Sequence, residues 1–150
     1  MRTDHIVRRI AWFLSAVGVL IFAATTAMLF SSASHVRVPG IAALVTFAAI
    51  VLAHLGGIEW GLALRDETGT DTTRAIALGL ASVPSLAAWG VLWLPSPQLQ
   101  IGAALGLFIA VWAADLWLSR HGLLPSWFVD LRTAVTAIVA VILGVALHLL

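Results

Sequence analysis

The sequence contains no cysteine, no tyrosine and no lysine, and it carries very little charge of either sign. Without cysteine there is no disulfide, no thiolate nucleophile, no cysteine-ligated zinc and no iron–sulfur cluster. Charged residues make up 10% of the 150 residues, against about 25% in soluble domains. A soluble globule with so few charges would expose very large apolar patches. We therefore predict an integral membrane protein that contacts the lipid bilayer and no nucleic acid.

Five apolar segments are long enough to cross a bilayer, which takes about 20 helical residues. They cover residues 10–30, 41–64, 75–94, 99–118 and 133–150. Short connectors rich in Pro, Gly and polar residues separate them. The pattern predicts an all-α, polytopic membrane protein with five transmembrane helices, forming a single domain over residues 1–150.

The arginines predict the orientation of these spans, because cytoplasmic loops carry an excess of basic residues. With five spans, seven of the eight arginines fall on the face that holds the N-terminus, and only Arg37 falls on the other. This distribution places the N-terminus inside and the C-terminus outside.

Polar residues inside the predicted spans are the candidate site residues, because an ionisable group at the bilayer centre costs roughly 2.5–3.5 kcal/mol on insertion scales. The candidates for a ligand or ion pathway are His54, Glu59, Ser82, Pro84, Ser85 and Asp115. At 1.5 Å per residue, Glu59 and Asp115 lie at similar depth near the inner face, and the others lie near the middle. The candidates for structural ion pairs are Arg65, Arg120, Asp130 and Arg132. An ion-pair layer is the favoured interpretation of the two acids, and a proton- or cation-handling pair is the alternative.

Gly56-Gly57 separates His54 from Glu59, and Pro84 interrupts the third span. On an ideal helix, five residues place two side chains ~140° apart, so His54 and Glu59 share a face only if the helix bends. Glycine pairs and prolines are sites where helices kink, and broken helices mark substrate sites in many transporters. Close helix packing is the simpler interpretation, since small residues four apart let membrane helices touch.

No catalytic pattern stands out. A G-x-S-x-G nucleophile elbow and an H-E-x-x-H zinc motif are both absent from the sequence. His148 is far in depth from His54, which disfavours a haem held by both. We expect no catalytic residues, no metal and no cofactor, and whether the protein is an enzyme stays open, with a non-enzyme favoured.

Four short motifs and one acid together resemble a known family. They are residues 57–64 (GIEWGLAL), residues 82–89 (SVPSLAAW), Asp115, residues 125–128 (PSWF) and residues 131–133 (LRT). The chain is similar to small five-span proteins that include mitochondrial transmembrane protein 69 and bacterial inner-membrane members. In that family a histidine often stands at the position of Glu59. The family has no assigned activity, so the resemblance implies the topology and a bacterial inner (cytoplasmic) membrane, and no functional residues.

Three functions are consistent with the sequence. A non-enzymatic oligomer, or an accessory or scaffold subunit of a membrane complex, is favoured by the small size and the two small-residue repeats Gly57-x-x-x-Gly61 and Gly102-x-x-x-Gly106. A transporter or channel for a proton, cation or small solute would use Glu59 and Asp115. A binder of a lipid-like ligand such as a quinone would use His54 and neighbouring tryptophans.

Overall fold

The computed structural model describes the backbone of residues 2–65, 71–120 and 124–150, and most of their side chains. Within these ranges the chain forms five α-helices and one short 3₁₀ turn. They are α1 (Arg2–Ala27), the turn Met28–Phe30, α2 (Ser34–Arg65), α3 (Asp71–Val91), α4 (Pro97–Arg120) and α5 (Ser126–Leu149).

Hydropathy identifies four of these helices as membrane spans. Helices α1, α2, α4 and α5 are long and apolar enough to cross a bilayer, whereas α3 is apolar over the shorter stretch Leu78–Val91. The prediction of an all-α, multi-pass membrane protein is confirmed at this level.

The second span begins earlier than predicted, because α2 starts at Ser34 and continues through Pro39 and Gly40. A proline lacks an N–H, so in the second turn it removes one backbone hydrogen bond close to the helix start, where the loss is tolerated. Gly40 is needed for packing. A Cβ added there would lie 2.6 Å from Cβ of Met28 in the 3₁₀ turn.

The fifth helix also begins earlier than predicted. It starts at Ser126, directly after Pro125, and runs without interruption through Thr133. The N–H groups of Phe128 and Val129 both donate to the carbonyl oxygen of Pro125, at 3.0 and 3.4 Å. The last seven residues of the predicted fourth connector (119–132) are therefore the first turns of α5, and they bring Arg132 into the bundle.

Helix α2 lies at the centre of the bundle and packs against α1, α3 and α4. Helix α5 packs against α1 and α4, and α3 also contacts α4. The ring of Phe22 on α1 joins three helices, with its centroid 5.0 Å from that of Phe47 on α2 and 5.8 Å from that of Phe108 on α4. Such edge-to-face aromatic contacts stabilise a core beyond the area that they bury.

Hydrogen bonds fix which helix ends lie together. Arg37 near the start of α2 donates to the carbonyl oxygen of Leu149, and Gln98 at the start of α4 donates to that of Leu150, at 3.4 Å. We call this the Arg37 end of the bundle. The opposite end, where α2 and α4 finish and α5 begins, is called the Arg132 end.

Candidate functional site

A buried ion pair joins α4 to α5 at the Arg132 end. Nε of Arg132 donates to Oδ2 of Asp115 over 2.7 Å. Asp115 is 5% exposed and Arg132 is 7% exposed. About one turn earlier on α4, towards the middle of the bundle, Nε1 of Trp112 donates to Oγ1 of Thr133 at 3.0 Å, so a second polar contact holds the same two helices together.

Glu59 on α2 completes a cluster of three charged side chains. Its half-buried carboxyl group lies within range of the charges of Asp115 and Arg132, but no hydrogen bond or ion pair among the described residues joins it to either of them. In the described part of the chain, Oε1 of Glu59 and Nη2 of Arg132 are buried and have no hydrogen-bond partner. The cluster therefore contains one satisfied ion pair and two polar atoms, one donor and one acceptor, that are not satisfied.

The other ion-pair candidates lie elsewhere. Arg120 and Asp130 are exposed, and among the described residues the pair between Arg132 and Asp115 is the one salt bridge. The side chain of Arg65 lies outside the described residues.

His54 points away from the cluster. Helix α2 is continuous through Gly56-Gly57, so the ~140° between His54 and Glu59 is retained, and the two residues do not share a face. The imidazole of His54 is exposed, and no hydrogen bond or ion pair joins it to another described residue. It lies within the apolar stretch Ser34–Gly61 of α2, about two turns from the end of that stretch.

The other central candidates form the contact between α2 and α3. Helix α3 is continuous through Pro84. Oγ of Ser85 donates to the carbonyl oxygen of Ala53 on α2 at 3.2 Å. Oγ of Ser82 accepts a hydrogen bond of 2.8 Å from Nε1 of Trp60 and donates to the carbonyl oxygen of its own helix at Leu78.

Gly56 explains how the two helices come so close at this point. A Cβ at Gly56 would lie 2.8 Å from the carbonyl oxygen of Ala81 and 2.9 Å from Oγ of Ser85. Gly57, in contrast, has open space around it. Gly56 therefore belongs to the contact between the helices, whereas Gly57 faces an uncovered surface, and both helices run through this point without a break.

In the described part of the chain, neither of the two best-formed hollows is lined by these residues. The two best-formed hollows are open grooves of ≈ 290 and ≈ 210 Å³ between α1 and α5, with almost wholly apolar walls. Trp12 and Ile138 line the larger groove, and Phe30 and Val145 line the smaller. Among the described residues, no group of three or more His, Asp or Glu side chains is arranged to hold a metal ion.

Three features of the site were not predicted from the sequence. The bonds from Trp60 to Ser82 and from Trp112 to Thr133 join residues on separate helices, and only knowledge of helix rotation would have paired them. Thr136, one turn after Arg132 on α5, is buried and its Oγ1 has no partner in the described part of the chain. Thr136 follows Arg132 by four residues, and this spacing could have predicted that both side chains lie on the same face of α5.

Comparison with known proteins identifies one family. A model for proteins of unknown function, DUF3429, matches residues 7–148. No curated protein and no solved structure matches the chain.

Proposed function

The chain belongs to the DUF3429 family, whose function is unknown, and we propose that it is a non-enzymatic membrane protein that works by association. It would act either as a homo-oligomer or as an accessory subunit of a larger membrane complex. The observation that carries this proposal is the exposed imidazole of His54 within the apolar stretch of α2.

The exposed surface of α2 supports it. Thr46, Ile50, His54, Gly57 and Gly61 are all exposed and recur every three or four residues, so they lie on one side of the helix. We call this surface the α2 outer face. The two glycines leave open space that allows a second helix to approach closely. A polar ring facing hydrocarbon is costly, and a partner helix that accepts or donates a hydrogen bond removes the cost.

A neutral imidazole carries one donor and one acceptor, so two copies of His54 are complementary to each other. In a two-fold symmetric pair of α2 helices, the same residue of each copy lies near the axis. A second copy of this chain is therefore the simplest partner, and a different membrane protein with a polar residue at that depth is the alternative.

Site-specific disulfide crosslinking tests the proposal. Because the sequence contains no cysteine, each variant carries a single thiol at the chosen position. Ile50→Cys places one thiol on the α2 outer face, and Leu86→Cys places one on the exposed surface of α3 as the matched control. We expect oxidation in native membranes to crosslink the Ile50→Cys variant to a second copy or to a distinct partner, and to leave the control uncrosslinked. Monomers in both variants, with no protein co-purifying in mild detergent, would contradict the proposal.

Transport of a proton, a cation or a small solute is the second candidate function, and the buried unpartnered oxygen of Glu59 favours it. Glu59 and Asp115 would carry the charge. Flux through proteoliposomes is the test. Flux that persists unchanged in Glu59→Gln and in Asp115→Asn would exclude these acids as the pathway.

The orientation and the membrane are part of the proposal. If all five helices span the membrane, seven of the eight arginines lie on the side of the N-terminus, and this distribution supports an N-terminus in the cytoplasm of a bacterial cell and a bacterial inner membrane. Kinship with mitochondrial transmembrane protein 69 stays a prediction. Thiol labelling of an Arg9→Cys variant in intact cells and in inverted vesicles would determine the side directly.

A further inference from the structure

Glu59, Asp115 and Arg132 come from three different helices and meet inside the bundle at the Arg132 end. The described side chains of α3 contain no charged residue, and those of α1 (His5, Arg8, Arg9) are exposed. Asp115 and Arg132 are therefore the charged groups that act on Glu59 from the helices around it.

The charges of this cluster do not balance if all three groups are ionised. One guanidinium faces two carboxyl groups, and its Nε is already engaged by Asp115 at 2.7 Å. Two ionised carboxylates would leave one negative charge uncompensated, at a glutamate whose Oε1 is buried without a hydrogen-bond partner among the described residues. A buried charge without a counter-charge is unfavourable enough that the group usually becomes neutral instead.

A proton restores the balance better than a metal ion does. A metal ion needs several ligands, and no cluster of three or more suitable side chains exists among the described residues. The guanidinium of Arg132 would also repel a second cation. A proton needs only one carboxyl oxygen, and it makes the second carboxyl group neutral.

We propose that Glu59, Asp115 and Arg132 form a proton-binding site in which two carboxyl groups share one guanidinium and one proton. In the structure Arg132 pairs with Asp115, and in the proposed site Glu59 then holds the proton. The free Nη2 of Arg132 and the free Oε1 of Glu59 are the donor and the acceptor needed for the opposite arrangement. There the proton has moved from the carboxyl group of Glu59 to that of Asp115, and the guanidinium, which stays protonated, pairs with Glu59.

This site does not rest on either candidate function, since a proton can be held for stability, for transport or for control of association. It makes a specific statement about charge. With both acids present, the cluster contains one ionised and one neutral carboxyl group. With one acid removed, the remaining acid is ionised and pairs with Arg132.

The chain is well suited to test this, because Glu59 and Glu67 are its two glutamates. Protein labelled with ¹³C at the glutamate side-chain carboxyl is reconstituted in lipid bilayers and studied by solid-state NMR and infrared spectroscopy at neutral pH. We expect one neutral carboxylic acid signal from glutamate. It should vanish in Glu59→Gln and persist in Glu67→Gln, the matched control.

The second arm uses Asp115→Asn in the same labelled protein. We expect the signal of Glu59 to change from carboxylic acid to carboxylate, because Arg132 is then free to pair with it. A carboxylate at Glu59 in the unchanged protein would overturn the proposal, and so would a neutral Glu59 in Asp115→Asn. If Asp115→Asn does not fold, as judged by circular dichroism, the state of Glu59 in the unchanged protein decides alone.

Discussion

Arg132 and Asp115 face each other across α5 and α4, with Nε 2.7 Å from Oδ2, and both residues are more than nine-tenths buried. Removing one partner of a buried pair is normally destabilising by about 3–5 kcal/mol, because the other charge is left alone. Glu59 changes this expectation, because it offers Arg132 a second carboxyl group nearby.

We therefore predict strongly non-additive effects on stability. Glu59→Gln and Asp115→Asn should each lower the free energy of unfolding by at most about 1 kcal/mol, since Arg132 keeps one carboxyl partner in either variant. The double variant should lose about 3–5 kcal/mol, because the guanidinium is then buried without a counter-charge. Unfolding in mixed micelles of detergent and SDS measures these values.

Asp130→Asn is the control for this series, since Asp130 is an exposed acid on α5. It should change stability by no more than about 0.5 kcal/mol. Additive losses in the double variant would mean that Glu59 and Asp115 do not share Arg132.

The glycine pair offers a second prediction. Gly56→Ala should destabilise the fold by about 1–3 kcal/mol, because the added methyl group would lie 2.8 Å from the carbonyl oxygen of Ala81. Gly57→Ala should leave stability unchanged or raise it slightly, since nothing lies within 4 Å of the added atom and alanine favours a helix. Equal effects of the two substitutions, measured by thermal unfolding, would contradict the packing described here.

Gly40 supports a parallel prediction at the Arg37 end. Gly40→Ala would bring a methyl group 2.6 Å from Cβ of Met28, an atom fixed by the backbone that cannot move aside alone. A loss of about 1–3 kcal/mol is expected. Gly18→Ala on α1 is the matched control, because that position is open. The Gly18→Ala variant should be at least as stable as the unchanged protein.

The sequence alone was sufficient to predict the membrane class and the helical fold, because hydropathy and the length of the apolar segments determine them. It did not determine rotation about the helix axis. His54 and Ser85 were placed at one depth, yet His54 faces outward while Ser85 contacts α2. Nor did it show where α2 begins, because a proline in the second turn looks the same in sequence as a proline in a connector.

The rotation of α2 and α3 about their axes also brings Trp60 next to Ser82. A double-mutant cycle can measure the free energy of the hydrogen bond between these two side chains. Trp60→Phe removes the Nε1 donor that lies 2.8 Å from Oγ of Ser82, and Ser82→Ala removes the acceptor. We expect a coupling free energy of about 0.6–2 kcal/mol, the range of hydrogen bonds between membrane helices. A second cycle that combines Trp93→Phe with Ser82→Ala is the control, since Trp93 is 73% exposed. Coupling between Trp93 and Ser82 should be zero within error.

The last prediction separates folding from association at His54. Because no described residue bonds to its imidazole, His54→Leu should not lower the stability of the monomer. It should weaken association, since it removes the polar group of the α2 outer face. Hydrogen bonds between membrane helices are worth about 0.6–2 kcal/mol, so dissociation should increase roughly 3- to 30-fold. Energy transfer between labelled copies in liposomes, titrated by lipid dilution, measures this, with His148→Leu as the control. An unchanged dissociation constant, or a loss of monomer stability, would show that His54 serves the fold of one copy and not its contact with another.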